Sequence, residues 1–193
     1  SARRQTAVIR AVIAMSNLGA VSYTIGGCAF LVLSVLLATS WRGRFKGGVV
    51  VAAACISAIW CFWVAYQVSV GGPYTSMTFL LEVLRGGAWL SLLVALLRGD
   101  DHVQALSRPV VYAIHALWIL AVVYGVSVAL GFRTDFPIWV VALLAIALVG
   151  LVLLEQLYRN ARPDRRWAIK FLILALGGIF VYDFFLYSQA LLL

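Results

Sequence analysis

Residues Gly47 to Val70 read GGVVVAAACISAIWCFWVAYQVSV, an apolar run without one charged side chain. About 20 such residues cross the hydrocarbon core of a bilayer as an α-helix. The run is continuous rather than alternating, which sets it apart from the strands of a membrane barrel. In lipid every backbone N–H and C=O has to be paired internally, so the helix is the spanning form left. On its N-terminal side lies the basic loop Trp41-Arg42-Gly43-Arg44-Phe45-Lys46, and on its C-terminal side Gly71-Gly72-Pro73.

Working outward, the pattern repeats. Apolar runs cover residues of about 18–39, 74–97, 109–130, 136–154 and 167–191, which with 47–70 makes six spans. Pro73, Pro109, Pro137 and Pro163 all fall at or just before a helix start, where the missing N–H costs least. Of the 193 residues, 64% are hydrophobic and 11% charged, against roughly 25% charged in a soluble domain. The expected fold is an all-α, polytopic membrane bundle whose partner is the lipid bilayer. A soluble enzyme is excluded, and the net charge of +8 is not read as a nucleic-acid footprint, because the cations sit in short loops.

Those loops set an orientation. Arg42, Arg44 and Lys46 follow span one, Arg98 and Arg108 follow span three, and Arg159, Arg162, Arg165, Arg166 and Lys170 lie around the fifth connection. All three regions fall on one side, while the other carries only Arg133 from Met15 onward. The positive-inside rule then places the N-terminus outside. Residues 1–14, with Arg3, Arg4 and Arg10, oppose that arrangement. Two readings stay open for them: an extension ahead of a natural start at Met15, or a basic amphipathic arm on the membrane surface. Residues 15–193 form the transmembrane domain. The chain stops directly after the sixth run, at Leu191-Leu192-Leu193, which reads as a piece of a longer protein.

Cys28, Cys55 and Cys61 lie in apolar stretches and read as small buried hydrophobes rather than a disulfide framework or a zinc site. No cofactor or metal ligand set is expected. His102, followed by Val-Gln-Ala-Leu-Ser-Arg-Pro, lacks the surroundings of a phospho-accepting histidine. Ionisable residues within spans cost roughly 2.5–3.5 kcal/mol at mid-helix and are functional candidates by default. Glu82 and Arg85 share a helix face at i and i+3, Asp183 lies in span six and His115 in span four. At 1.5 Å per residue Glu82 lies about 12 Å and Arg85 about 17 Å from the outer end of span three. Asp183 falls in the same outer half, with Arg85 and Asp183 as an alternative pair, whereas His115 lies nearer the cytoplasmic face. Tyr182 and Tyr187 are candidate hydrogen-bond partners. The cluster reads either as a structural clasp, as a ligand or signal site, or as an ion path. His115 reads as a packing residue. The glycine pairs Gly86-Gly87 and Gly177-Gly178 read as points of close helix packing.

Two stretches carry a resemblance. One is Ser22-Tyr23-Thr24-Ile25-Gly26-Gly27, continued to Thr39-Ser40-Trp41-Arg42-Gly43-Arg44. The other is Leu154-Glu155-Gln156-Leu157-Tyr158-Arg159-Asn160-Ala161-Arg162-Pro163-Asp164-Arg165-Arg166-Trp167-Ala168-Ile169-Lys170-Phe171, with Gly177-Gly178 and Tyr182-Asp183-Phe184-Phe185-Leu186-Tyr187-Ser188 beyond it. Both resemble the N-terminal membrane region of the PrsK-type sensor histidine kinase, a family of the exosortase/PEP-CTERM system in exopolysaccharide-producing Gram-negative bacteria. Gln189 stands where that family more often carries an acidic residue.

The resemblance implies residence in the inner membrane and a parent protein that continues with further spans, a GAF-like domain and a cytoplasmic kinase core. That core would use ATP and Mg²⁺, act as a homodimer and phosphorylate a PrsR-type response regulator. No catalytic residue of it lies in these 193 residues, so this segment by itself is expected to be non-catalytic. The expected role is membrane-embedded input and anchoring for a two-component system. The rival readings are a small transporter or channel, or a scaffold of a polysaccharide export system.

Overall fold

A computed structural model describes residues 2–40, 45–72, 74–98, 107–131, 137–161 and 163–192, with side chains from residue 17 onward apart from 45–46, 137, 163–165 and 168. The chain forms α1 (Ala2–Ser40), α2 (Phe45–Val70), α3 (Ser76–Leu97), α4 (Arg108–Ala129), α5 (Pro137–Asn160) and α6 (Pro163–Leu192). Among the described residues there is no strand, and each of the six helices contains a stretch long and apolar enough to cross a bilayer. Trp41 to Arg44, Pro73, His102, Arg133 and Arg162 lie outside the described residues, as do the side chains of Arg3, Arg4, Arg10, Lys46 and Arg165.

The helix ends follow from local chemistry. Thr75 caps α3, its hydroxyl accepting from the Thr78 N–H, which satisfies one of the N–H groups a helix start leaves unpaired. Pro109 occupies the first turn of α4, and Pro137 and Pro163 open α5 and α6. Gly71 and Gly131, at φ of +66° and +92°, follow the ends of α2 and α4, where a left-handed residue reverses the chain and a side chain would be strained.

Two boundaries differ from the sequence reading. The fifth helix does not stop near Leu154 but runs on to Asn160, because Glu155 and Arg159 pair across one turn at 3.2 Å and their long side chains reach outward. The expected charged loop is thereby reduced to a turn around Ala161, whose carbonyl accepts from Arg166 Nε at 3.0 Å. At the N-terminus α1 is helical from Ala2, so the basic segment continues the first span without a break.

α3 is the central post. Of its most apolar stretch 67% is buried, against 11% for α1 and 17% for α6. It packs against α2, α4 and α5, whereas α1 packs on α2 and α6 on α5. Val83, Leu93 and Leu97 of α3 and Val140 of α5 are fully enclosed. Lipid tails are as apolar as leucine, so burial does not drive these helices together; close approach and polar contacts do. A methyl group at Gly150 of α5 would lie 2.6 Å from the Phe180 ring of α6, one at Gly86 would lie 2.7 Å from Ile146, and one at Gly87 would overlap the Trp118 indole. That indole donates to the Val83 carbonyl at 3.0 Å. Gly177 and Gly178 depart from the sequence reading. A side chain at either meets nothing within 4 Å, because this face of α6 has no helix against it.

Candidate functional site

Every residue of the polar cluster is placed by helical periodicity. Glu82 and Arg85 lie one turn apart on α3, and Asp183 and Tyr187 one turn apart on α6, so each pair projects from one face. α3 and α6 are odd and even spans and run in opposite directions. Arg85 therefore meets Asp183 while Glu82 lies level with Tyr187.

The ion pair joins Arg85 Nη2 to both Asp183 oxygens, at 2.8 and 2.7 Å, with side chains only 8% and 10% exposed. The guanidinium carbon lies over the Trp60 ring of α2, 4.1 Å from its centroid, a cation–π contact that gains strength away from water. Glu82 does not pair with Arg85, although their spacing permits it. Its Oε2 accepts from the Tyr74 hydroxyl at 2.5 Å, and the buried Tyr187 lies close enough to act on the same carboxyl group. Tyr74 in turn stacks on Trp139 at 4.7 Å.

Tyr182 makes no bond to the ion pair; it is half exposed on the side of α6 that faces α1, beside Tyr23. His115 takes no part in the cluster. Its Nδ1 lies 2.8 Å from the Val111 carbonyl of its own helix, so its ring is held by α4. Of the cysteines only Cys61 is buried, and Cys28 faces outward, so the reading as buried hydrophobes holds for one of the three.

Sequence reasoning missed Trp60, Tyr74 and Tyr23 as members of the site. By sequence Trp60 reads as a packing or lipid-contact aromatic and Tyr74 as a membrane-interface anchor, while Tyr23 enters only through the stretch that carries the resemblance. The partners of Trp60 and Tyr23 lie on other helices, and Tyr74 reaches Glu82 only by folding back from ahead of α3, so no helical spacing signals them. Trp63 and Gln67 belong to a neighbouring stitch between α2 and α3, donating to Thr78 Oγ1 at 3.1 Å and Thr75 Oγ1 at 3.0 Å.

Beside the cluster a groove of about 960 Å³ runs between α1 and α6, with Trp60, Cys61, Arg85 and Asp183 along its inner wall. Among the described residues no group of His, Cys, Asp and Glu is placed to hold a metal ion. The site offers one guanidinium opposite two carboxyl groups, ringed by aromatic hydroxyl and indole groups. Such a site can fix helix positions and receive a ligand from the bilayer.

Six apolar helices held by an interior ion pair define a multi-pass α-helical membrane protein. The chain matches no family model, no curated protein and no solved structure.

Proposed function

We propose that this chain is the membrane-embedded input and anchoring module of a two-component sensor histidine kinase of the PrsK type, resident in the bacterial inner membrane. The observation that supports this reading is the buried Arg85–Asp183 pair. It ties α6, which otherwise packs on α5, to the central helix α3. A displacement of α6 along its axis has to break the pair, whereas a twist about the axis can carry it along, so the pair selects the motion that a signalling helix here would pass on. The charged and aromatic sequence from Leu154 to Ser188, which carries the resemblance, includes Asp183 and Tyr187 themselves. In this reading ATP, Mg²⁺, the dimer contact and the response regulator belong to a kinase core encoded downstream.

Two measurements test it. Sequencing the reading frame past Leu193 is expected to reveal a kinase core, and a stop codon there overturns the proposal. In the full-length protein Asp183→Asn is expected to shift basal autophosphorylation several-fold at unchanged membrane insertion. Loss of insertion or expression instead assigns the pair to packing alone.

A further inference from the structure

Two N–H groups bordering the groove between α1 and α6 are buried without an acceptor: Trp60 Nε1 and Arg85 Nε. Trp60 is 8% exposed and Arg85 7%. In a hydrocarbon surrounding, an unpaired N–H costs several kcal/mol, so two of them on one wall favour any occupant that brings an oxygen acceptor. The rest of the groove is apolar or small: Phe30 and Gly26 of α1 and Gly178 and Ile179 of α6 line it. It lies between the two least buried spans, so its mouth faces the bilayer and an occupant enters sideways from the lipid.

Charge decides between the acceptors that a lipid-soluble molecule can offer. Arg85 is already neutralised by Asp183, and Glu82 adds a second carboxyl group one turn away. A phosphate or carboxylate headgroup would meet this acidic surplus without a free cation to pair with. A neutral carbonyl oxygen meets no such penalty and takes up the two idle donors.

We propose that the groove binds a neutral, membrane-dissolved molecule that carries a carbonyl oxygen ahead of an apolar tail, the chemistry shared by a quinone and by the ester end of a diacylglycerol. The carbonyl sits against Trp60 and Arg85, and the tail runs out between α1 and α6. Only the regulatory meaning of occupancy rests on the input-module reading, because a ligand held against Arg85 bears directly on the α3–α6 pair; binding itself is measured without any kinase output.

Native mass spectrometry of the purified protein in detergent micelles tests the proposal with decylubiquinone, dioctanoylglycerol and farnesyl phosphate as probes. The expected result is one retained molecule per chain of decylubiquinone, of dioctanoylglycerol or of both, with farnesyl phosphate held at least tenfold more weakly. Retention of the first alone identifies a quinone site, and of the second alone a lipid-ester site. Gly178→Leu projects a bulky side chain into the groove beside Asp183 and is expected to reduce retention at least tenfold. Gly177→Leu, equally free of steric conflict but outside the groove lining, is expected to bind as the unmodified protein does. Trp60→Phe keeps a ring beneath the guanidinium and removes one donor, for an expected loss of roughly tenfold. Retention of neither neutral probe, preference for farnesyl phosphate, or undiminished binding by both Gly178→Leu and Trp60→Phe overturns the proposal. So does a dimer of the unmodified protein that Gly178→Leu dissociates, which would make the groove a seat for a second copy.

Discussion

Arg85 and Asp183 are each tolerable in the membrane interior only because of the other. Removing one leaves an unpaired charge away from water, which costs about 3–5 kcal/mol, whereas replacing both by apolar residues of similar volume is often neutral or stabilising. Asp183→Leu is therefore expected to lower thermal stability in detergent strongly, and Arg85→Met combined with Asp183→Leu to recover most of the loss. A double-mutant cycle read by thermal unfolding measures the coupling; additive losses would show that the two side chains act independently. The pair was legible in the sequence because charged residues within apolar runs are few and conspicuous. Which of two acids Arg85 chooses was not legible. The choice depends on Tyr74, which lies ahead of α3 and folds back onto Glu82, and on Trp60 of another helix, which supports the guanidinium from below.

At the scale of the helices, glycine positions sort into those that bring axes together and those that do not. Gly87→Ala would drive a methyl group into Trp118, and Gly150→Ala would crowd Phe180. Overpacking of this kind costs about 1–3 kcal/mol. Both variants are expected to unfold at lower temperature in detergent, while Gly177→Ala is expected to match the unmodified protein. A destabilised Gly177→Ala would mean that the open face of α6 is covered. The sequence shows these glycines but not their use. Gly86-Gly87 and Gly177-Gly178 look alike as pairs, and only the neighbours Ile146 and Trp118 distinguish them. The C-terminal extension of α5 was hidden for a different reason: charge marks where a helix leaves the hydrocarbon, not where its backbone hydrogen bonds end.

For the whole molecule, the six spans were readable from apolar length alone, because the bilayer imposes a fixed thickness on every crossing. Their packing order was not, since lipid-facing and protein-facing residues are equally apolar. The basic residues Arg98, Arg108, Arg159, Arg166 and Lys170 are expected on the cytoplasmic side. Cysteine accessibility in a cysteine-free background checks this. Asn160→Cys is expected to react with a membrane-impermeant thiol reagent only after the membrane is opened, and labelling in sealed cells would invert the topology.

The two rungs between α3 and α6, Arg85 to Asp183 and Glu82 to Tyr187, sit one helical turn apart on both helices. A slide of α6 by one turn, about 5.4 Å, would bring Arg85 opposite Tyr187 or Asp183 opposite Glu82, and either register breaks the ion pair, so the helix has no second resting height of comparable energy. Rotation in place meets less opposition, because a guanidinium can pivot around a carboxylate while staying bonded. The ladder thus works as a thrust bearing, locking axial travel and leaving twist as the motion that α6 can transmit.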